Sequence, residues 1–234
     1  MHLFYQPDAE NQPYLNEEES RHCVKTLRLG RGDTINVTDG EGKRHKCVIE
    51  TADSRRCTFQ ILETYTETLR PYRIHLAVAP TKNADRIEWF VEKAVELGID
   101  RISFFLGQHS ERRALKTDRI EKIAVAAMKQ SLQLFKPAID PLLDFKDILT
   151  VLAEQRYIAH LPENEVVEPL AQSVKPGQTV LVLVGPEGDF SGHELQLAIQ
   201  NGFKMVTMGS TRLRTETAAL VACHTIHLVN ALRA

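Results

Sequence analysis

No stretch of this 234-residue chain is apolar over a length that would cross a bilayer. Its opening, MHLFYQPDAE, has no basic segment followed by an apolar run, so neither membrane insertion nor secretion is expected. Cysteine is sparse: Cys23, Cys47, Cys57 and Cys223 are scattered with no C-x-x-C pair, which argues against zinc and against a disulfide framework and fits a reducing cytoplasm. A basic excess is lacking too. The formal net charge is −2, which is not the signature of a protein that coats nucleic acid nonspecifically. No metal is expected, because His224 and His227, although spaced i, i+3 on a predicted helix, have no evident third ligand and fit a core or interface role. Internal repeats and low-complexity segments are also missing.

What is present reads as two modules. The hydrophobic fraction of 43% and charged fraction of 26% are ordinary for a globular protein, and the length suits a small domain followed by a medium one. Asn16 with Glu19 resembles a capping box and starts a helix over 17–28. Strand-like runs follow at 34–38, 46–50 and 57–62, with the turn residues Asp39-Gly40-Glu41-Gly42 between the first two. This predicts a small, mostly-β, barrel-like domain over 1–68, joined by a polar linker at 64–71. From Arg73 the rhythm changes: strands at 73–79, 101–105, 157–159, 179–184 and 204–208 alternate with helices at 85–97, 118–135, 192–201 and 216–232. Thr179-Val-Leu-Val-Leu-Val184 has the continuous apolar character of a strand buried on both faces. An α/β domain over 72–234, an open and mostly parallel sheet between helices, is the expectation.

Ligands bind outside the carboxyl ends of strands in such sheets, so the segments after Val184 and Met208 carry the weight. The first reads Gly185-Pro-Glu-Gly-Asp-Phe-Ser-Gly-His-Glu194 and the second Gly209-Ser-Thr-Arg-Leu-Arg-Thr-Glu-Thr217. Gly185-Pro-Glu-Gly188 has two readings, a tight turn with Pro presetting φ and a cradle letting a ligand lie against the backbone. Ser191 with Glu194 forms a capping box, and Thr215 is placed to cap the last helix. Arg212 and Arg214 have no scaffolding role at that turn and suggest recognition of an anion or a base edge. A dinucleotide loop is excluded because the pattern is Gly-x-x-Gly and the second strand ends in Met208-Gly209, with no acidic residue for a ribose. A Walker loop is excluded for want of Gly-Lys-Ser/Thr. The helix Ala218-Ala-Leu-Val-Ala-Cys223 is apolar nearly all round, which favours a homodimer.

Leu183-Val-Gly-Pro-Glu-Gly188 and Met208-Gly-Ser-Thr-Arg-Leu-Arg-Thr-Glu-Thr-Ala-Ala-Leu220 resemble the bacterial 16S rRNA uridine-N3 methyltransferases of the RsmE type, in the SPOUT class. Glu92-Lys-Ala-Val-Glu-Leu-Gly98, the Lys122 to Ser131 segment with Gln130-Ser131, and His22-Cys-Val-Lys-Thr-Leu-Arg-Leu-Gly30 extend the likeness over nearly the whole chain. The resemblance implies a C-terminal trefoil-knotted domain, a PUA-like RNA-binding N-terminal domain, a dimer, and the small ribosomal subunit as partner. It places S-adenosylmethionine on the two turns, against Leu183, Gly185, Glu187, Gly188, Met208, Gly209, Leu213 and Thr217. One departure stands out: Leu132-Gln133-Leu134 occupies the place where members of the family carry an Arg after Gln-Ser.

N3 methylation needs a stabiliser for the developing uridine anion, and Arg214 is the first candidate. Glu216 reads either as a general base or as an acidic residue favouring the start of its helix. Arg212 reads as a phosphate contact, Gln130 as a base contact or a packing residue, and the basic residues Arg21, Lys25 and Arg28 as an RNA face or a solvated one. Two other activities share these features: a SPOUT-class ribose 2′-O-methyltransferase, and a nonenzymatic RNA-binding assembly factor. The low overall charge favours an assembled subunit over naked rRNA as substrate.

Overall fold

A computed structural model describes residues 2–162 and 166–233. The outer limits expected for the two domains, residues 1 and 234, lie outside the described residues. The chain divides into two compact units, Met1–Leu69 with Val125–Lys136, and Arg70–Ala124 with Pro137–Ala234.

In the first unit, β1 (Leu3–Tyr5), β2 (Thr34–Thr38), β3 (Lys43–Thr51) and β4 (Thr58–Thr66) form a sheet in that order, with β1 parallel to β2 and the remaining pairs antiparallel. Phe4, Leu15, Cys23, Ile35, Val37, Ile49 and Phe59 make its core. The helix expected over 17–28 is two structures. Asn16 does cap α1 (Glu17–Arg21), accepting from the Glu19 amide at 2.9 Å, but the backbone then widens into a π-helical turn, His22–Thr26. Arg28, with φ of 56°, stops it. Only half of a capping box forms, because the Glu19 carboxylate pairs with Lys129. The expected linker is strand over Thr64–Thr66, which pair with His45, Arg44 and Lys43.

The second unit is a six-stranded sheet, parallel throughout, in the order β10-β8-β9-β5-β6-β7. Its strands are β5 (Arg73–Val78), β6 (Arg101–Leu106), β7 (Ala138–Asp144), β8 (Gln155–Ala159), β9 (Thr179–Val184) and β10 (Lys204–Val206). The helices are α2 (Ala84–Glu96), α3 (Thr117–Gln130), whose residues from Val125 on belong to the first unit, α4 (Phe145–Ile148), α5 (Leu170–Ser173), α6 (Gly192–Gln200) and α7 (Thr215–Arg233). The apolar run of β9 lies between β5 and β8 and is buried from Val180 to Val184, as its composition predicted. Leu181 and Leu183 face a core that includes Phe145, Ile148 and Ala198 of α4 and α6. Val180 and Val182 alternate with them and point to the other face, and α7 contacts both β5 and β9.

Sequence and structure part further here: the short helices α4 and α5 had no expected counterpart, and three other elements depart as well. α3 ends at Gln130 rather than Phe135, because Leu132 adopts φ of 58° and turns the chain back. β7 was hidden by Pro141, which is tolerated on this edge strand beside a register shift in its pairing with β6. β10 stops at Val206, since the Thr207 carbonyl is taken by the Leu170 amide and its amide by the Glu168 carbonyl.

Candidate active site

The carboxyl ends of the neighbouring strands β8, β9 and β10 enclose a cavity of about 320 Å³. Both singled-out turns line it: Gly185 and Glu187 from the first, Met208, Arg212, Leu213 and Arg214 from the second. Gly185 is fixed by packing, since a Cβ there would stand 3.0 Å from the Phe190 ring, which stacks on Phe105 beneath the turn. Thr215 does not cap α7. It is the first residue of that helix, and its buried hydroxyl donates to the Gly185 carbonyl at 2.9 Å, tying the second turn to the first. The Ser191–Glu194 capping box forms as expected, and the spare Glu194 oxygen accepts from the Gln108 amide at 2.8 Å.

Three polar residues of this site escaped the sequence reading. His160 follows β8, lines the cavity, and donates from Nδ1 to Asp189 Oδ2 at 2.9 Å. Asp189 holds a φ of 61°, a left-handed conformation uncommon for a non-glycine residue. His109 Nδ1 lies 3.0 Å from the carbonyls of both Gly188 and Asp189 and so donates to them, securing the far side of the turn. His160 and Asp189 are 29 residues apart in sequence and carry no local motif. Glu187, exposed at the cavity, is held by the Lys82 amide on Oε1 at 3.0 Å.

A second cavity of about 600 Å³ adjoins the first and shares Arg212, Leu213 and Arg214 with it; its other lining includes Arg86 and Trp89 of α2 and Glu216 and Thr217 of α7. The Glu216 side chain is 8% exposed, its Oε1 is 3.8 Å from Arg86 Nε, and its buried Oε2 has no hydrogen-bond partner among the described residues. A first-turn acid gains about 0.3–1 kcal/mol from the helix dipole, whereas a buried unsatisfied polar group costs about 1–3 kcal/mol. Helix-start preference alone does not account for this carboxylate.

The remaining anticipated residues are dispersed. Leu183 is fully buried within β9, Gly188 packs its backbone against His109, and Gly209 is exposed with φ of 136°. Arg21, Lys25, Arg28 and Gln130 are exposed residues of the first unit, Arg21 paired with Glu17 at 2.7 Å. His224 is exposed, while His227 accepts or donates at 2.8 Å with the Tyr72 hydroxyl and is lowered to about pKa 4, first by burial and then by the Arg70 charge.

A parallel α/β sheet with a small-molecule cavity at three strand ends, lined by two arginines and two carboxylates, is the arrangement of a ligand-binding enzyme domain. The RNA methyltransferase domain family matches residues 68–227, and the RNA methyltransferase PUA domain family matches residues 15–62. A ribosomal RNA small subunit methyltransferase E of Synechocystis sp. is 31% identical over 219 residues, 89% of this chain and 70% of the relative. The protein of that name from Aquifex aeolicus is 29% identical over 231 residues, 94% and 96% of the two chains. Among solved structures, a probable rRNA-methyltransferase from Porphyromonas gingivalis superposes with a TM-score of 0.93 at 40% identity over 100% of both chains. A ribosomal RNA small subunit methyltransferase E from Neisseria gonorrhoeae, bound to S-adenosylmethionine, gives 0.87 at 27% identity over 98% of each. The chain belongs to this family of PUA-bearing RNA methyltransferases.

Proposed function

We propose that the protein transfers a methyl group from S-adenosylmethionine to N3 of a uridine in the 16S rRNA of the small ribosomal subunit. The observation that carries this reading is the position of Arg214, in the wall common to both cavities, where it would meet a cofactor on one side and a base on the other. The residues present fit the cofactor. The cavity lies within the range of about 300–1,000 Å³ typical of small-molecule sites. Its apolar lining, Leu161, Leu213 and Ala218, suits an adenine, and the carboxylates of Glu187 and Asp189 suit a cationic ligand. Gly185, Glu187, Met208 and Leu213 would hold it, with the neighbouring backbone at Leu183, Gly188 and Gly209. When bound, the cofactor supplies an electrophilic methyl carbon on a sulfonium.

The chain's own groups supply the rest. Loss of the N3 proton spreads negative charge over N3 and the flanking carbonyl oxygens, and the forked donors of Arg214 match that edge. Glu216, lining the second cavity with an unsatisfied oxygen, accepts the proton. Arg212, whose one side-chain hydrogen bond among the described residues is a long 3.4 Å contact to the Glu187 carbonyl, takes a phosphate. Arg21, Lys25 and Arg28 form the RNA face of the PUA-like unit over residues 1–68, joined by Gln130 of the 125–136 segment that packs with it, and residues 72–234 otherwise form a knotted transferase domain. Leu228 and Leu232 stand 46% and 75% exposed on α7, which supports a homodimer through that helix. No described helix is long and apolar enough to cross a membrane.

Nucleoside analysis of 16S rRNA from a strain lacking the protein tests the reading. A 3-methyluridine that disappears and returns on complementation is the expected result; loss of a 2′-O-methylated nucleoside instead, or an unchanged profile, would overturn it.

A further inference from the structure

Trp89 is the only tryptophan of the chain, and it stands 46% exposed on α2. The core uses a different face of that helix, through Ile87, Phe90, Val91, Ala94 and Val95. Arg86, one turn earlier, shares the face of Trp89 and lines the same cavity together with Arg212, Arg214 and Glu216. None of the three guanidiniums is saturated. Arg86 is 3.8 Å from Glu216, longer than a hydrogen bond, Arg212 has its single long contact, and Arg214 has no side-chain partner among the described residues.

Three arginines against two acids, Asp85 and Glu216, leave the lining around this exposed indole with an excess of positive charge. A splayed-out nucleotide brings a flat π-face for the indole and a phosphate for the positive charge that the two carboxylates leave unbalanced. We infer that the Trp89 cleft holds a pyrimidine nucleotide of the substrate RNA, its base stacked on the indole and its phosphate on Arg86 and Arg212. Arg214, in the wall shared with the first cavity, then meets the base edge. This rests on the methyltransferase reading above and adds to it the residue that positions the base.

Because Trp89 is the sole tryptophan, intrinsic fluorescence of the full-length protein reports on this cleft alone. A short oligouridylate should quench it saturably. With small ribosomal subunits as substrate, Trp89→Ala should raise KM on the order of 5- to 150-fold, the range for a lost base–aromatic stack, while calorimetric affinity for S-adenosylmethionine stays unchanged. Trp89→Phe should recover most of the loss, which a merely structural role would not require. An unaltered KM in Trp89→Ala overturns the inference. So does emission that oligouridylate leaves unquenched, or an emission maximum that shifts with protein concentration in the absence of RNA, since that would show a second copy on the cleft. Should the wild-type protein form no 3-methyluridine, the methyltransferase reading falls, yet saturable quenching would still show that the cleft binds a nucleotide.

Discussion

Arg214 and Glu216 are separated by one residue, yet one is exposed between two cavities and the other is buried in the second. Replacing Arg214 with Ala should lower the methylation rate about 10²–10³-fold, the typical cost of removing one charge stabiliser. Lys should not restore it, since an ammonium lacks the planar fork. Single-turnover kinetics at saturating cofactor would show this, and a change confined to KM would assign Arg214 to binding. Glu216→Gln keeps the shape and removes the proton acceptor. A fall in kcat of about 10² or more, with a flattened pH–rate profile, is expected, whereas loss of melting temperature alone would return Glu216 to a scaffolding role. The place of Arg214 on a cavity wall was legible in the sequence, because an arginine at a helix start has no local structural use, whereas Glu216 read either as a base or as a helix-start acid. Trp89, His160 and Asp189 were not legible. Their meaning depends on neighbours from other segments, and a tryptophan beside the apolar stripe of an amphipathic helix passes for core until its exposure is seen.

At the scale of elements, the two site turns act as one because the Thr215 hydroxyl donates to the Gly185 carbonyl. Thr215→Val fills similar space but leaves that buried carbonyl unpaired, at a cost of about 1–3 kcal/mol. Thermal melts should show a Tm lower by several degrees and a smaller rise in Tm on adding S-adenosylmethionine; an unchanged ligand-induced rise would mean that the turns hold their shapes independently. The strands flanking the site were readable because hydrophobic runs such as Thr179–Val184 have few alternatives. What could not be read were departures from regular geometry. The π-helical turn at His22–Thr26 has no periodicity of its own, and the left-handed residue that ends α3 is a leucine, where a glycine or asparagine would have signalled the stop.

For the molecule as a whole, acid sensitivity has an identifiable origin. His75, its Nε2 2.6 Å from Ser103 Oγ, is lowered to about pKa 4 by burial and, secondarily, by Arg101, and His227 is lowered to a similar value. Unfolding lets both take up protons at about the normal 6.5, so stability is full above that pH, falls as the pH drops toward 4, and changes no further from these groups below it. For His75 the loss is at most about 3 kcal/mol. Urea denaturation at pH 7 and pH 4.5 should show the decline, and His75→Gln should reduce it; equal stabilities at the two pH values would discount these histidines. RNA affinity should weaken with salt, and Arg212→Ala should lower that salt slope by about one.

The membership of residues 125–136 in the first unit carries one more implication. Lys129 pairs with Glu19, the Leu134 carbonyl accepts from the Gly42 amide, and the Lys136 amide donates to the Gly40 carbonyl. On the ribosome, a nascent chain that has emerged only as far as residue 69 still lacks these partners. The N-terminal module therefore cannot reach its final form until translation has passed Lys136, by which point two strands of the second unit are already made, so the order of synthesis and the order of completion differ.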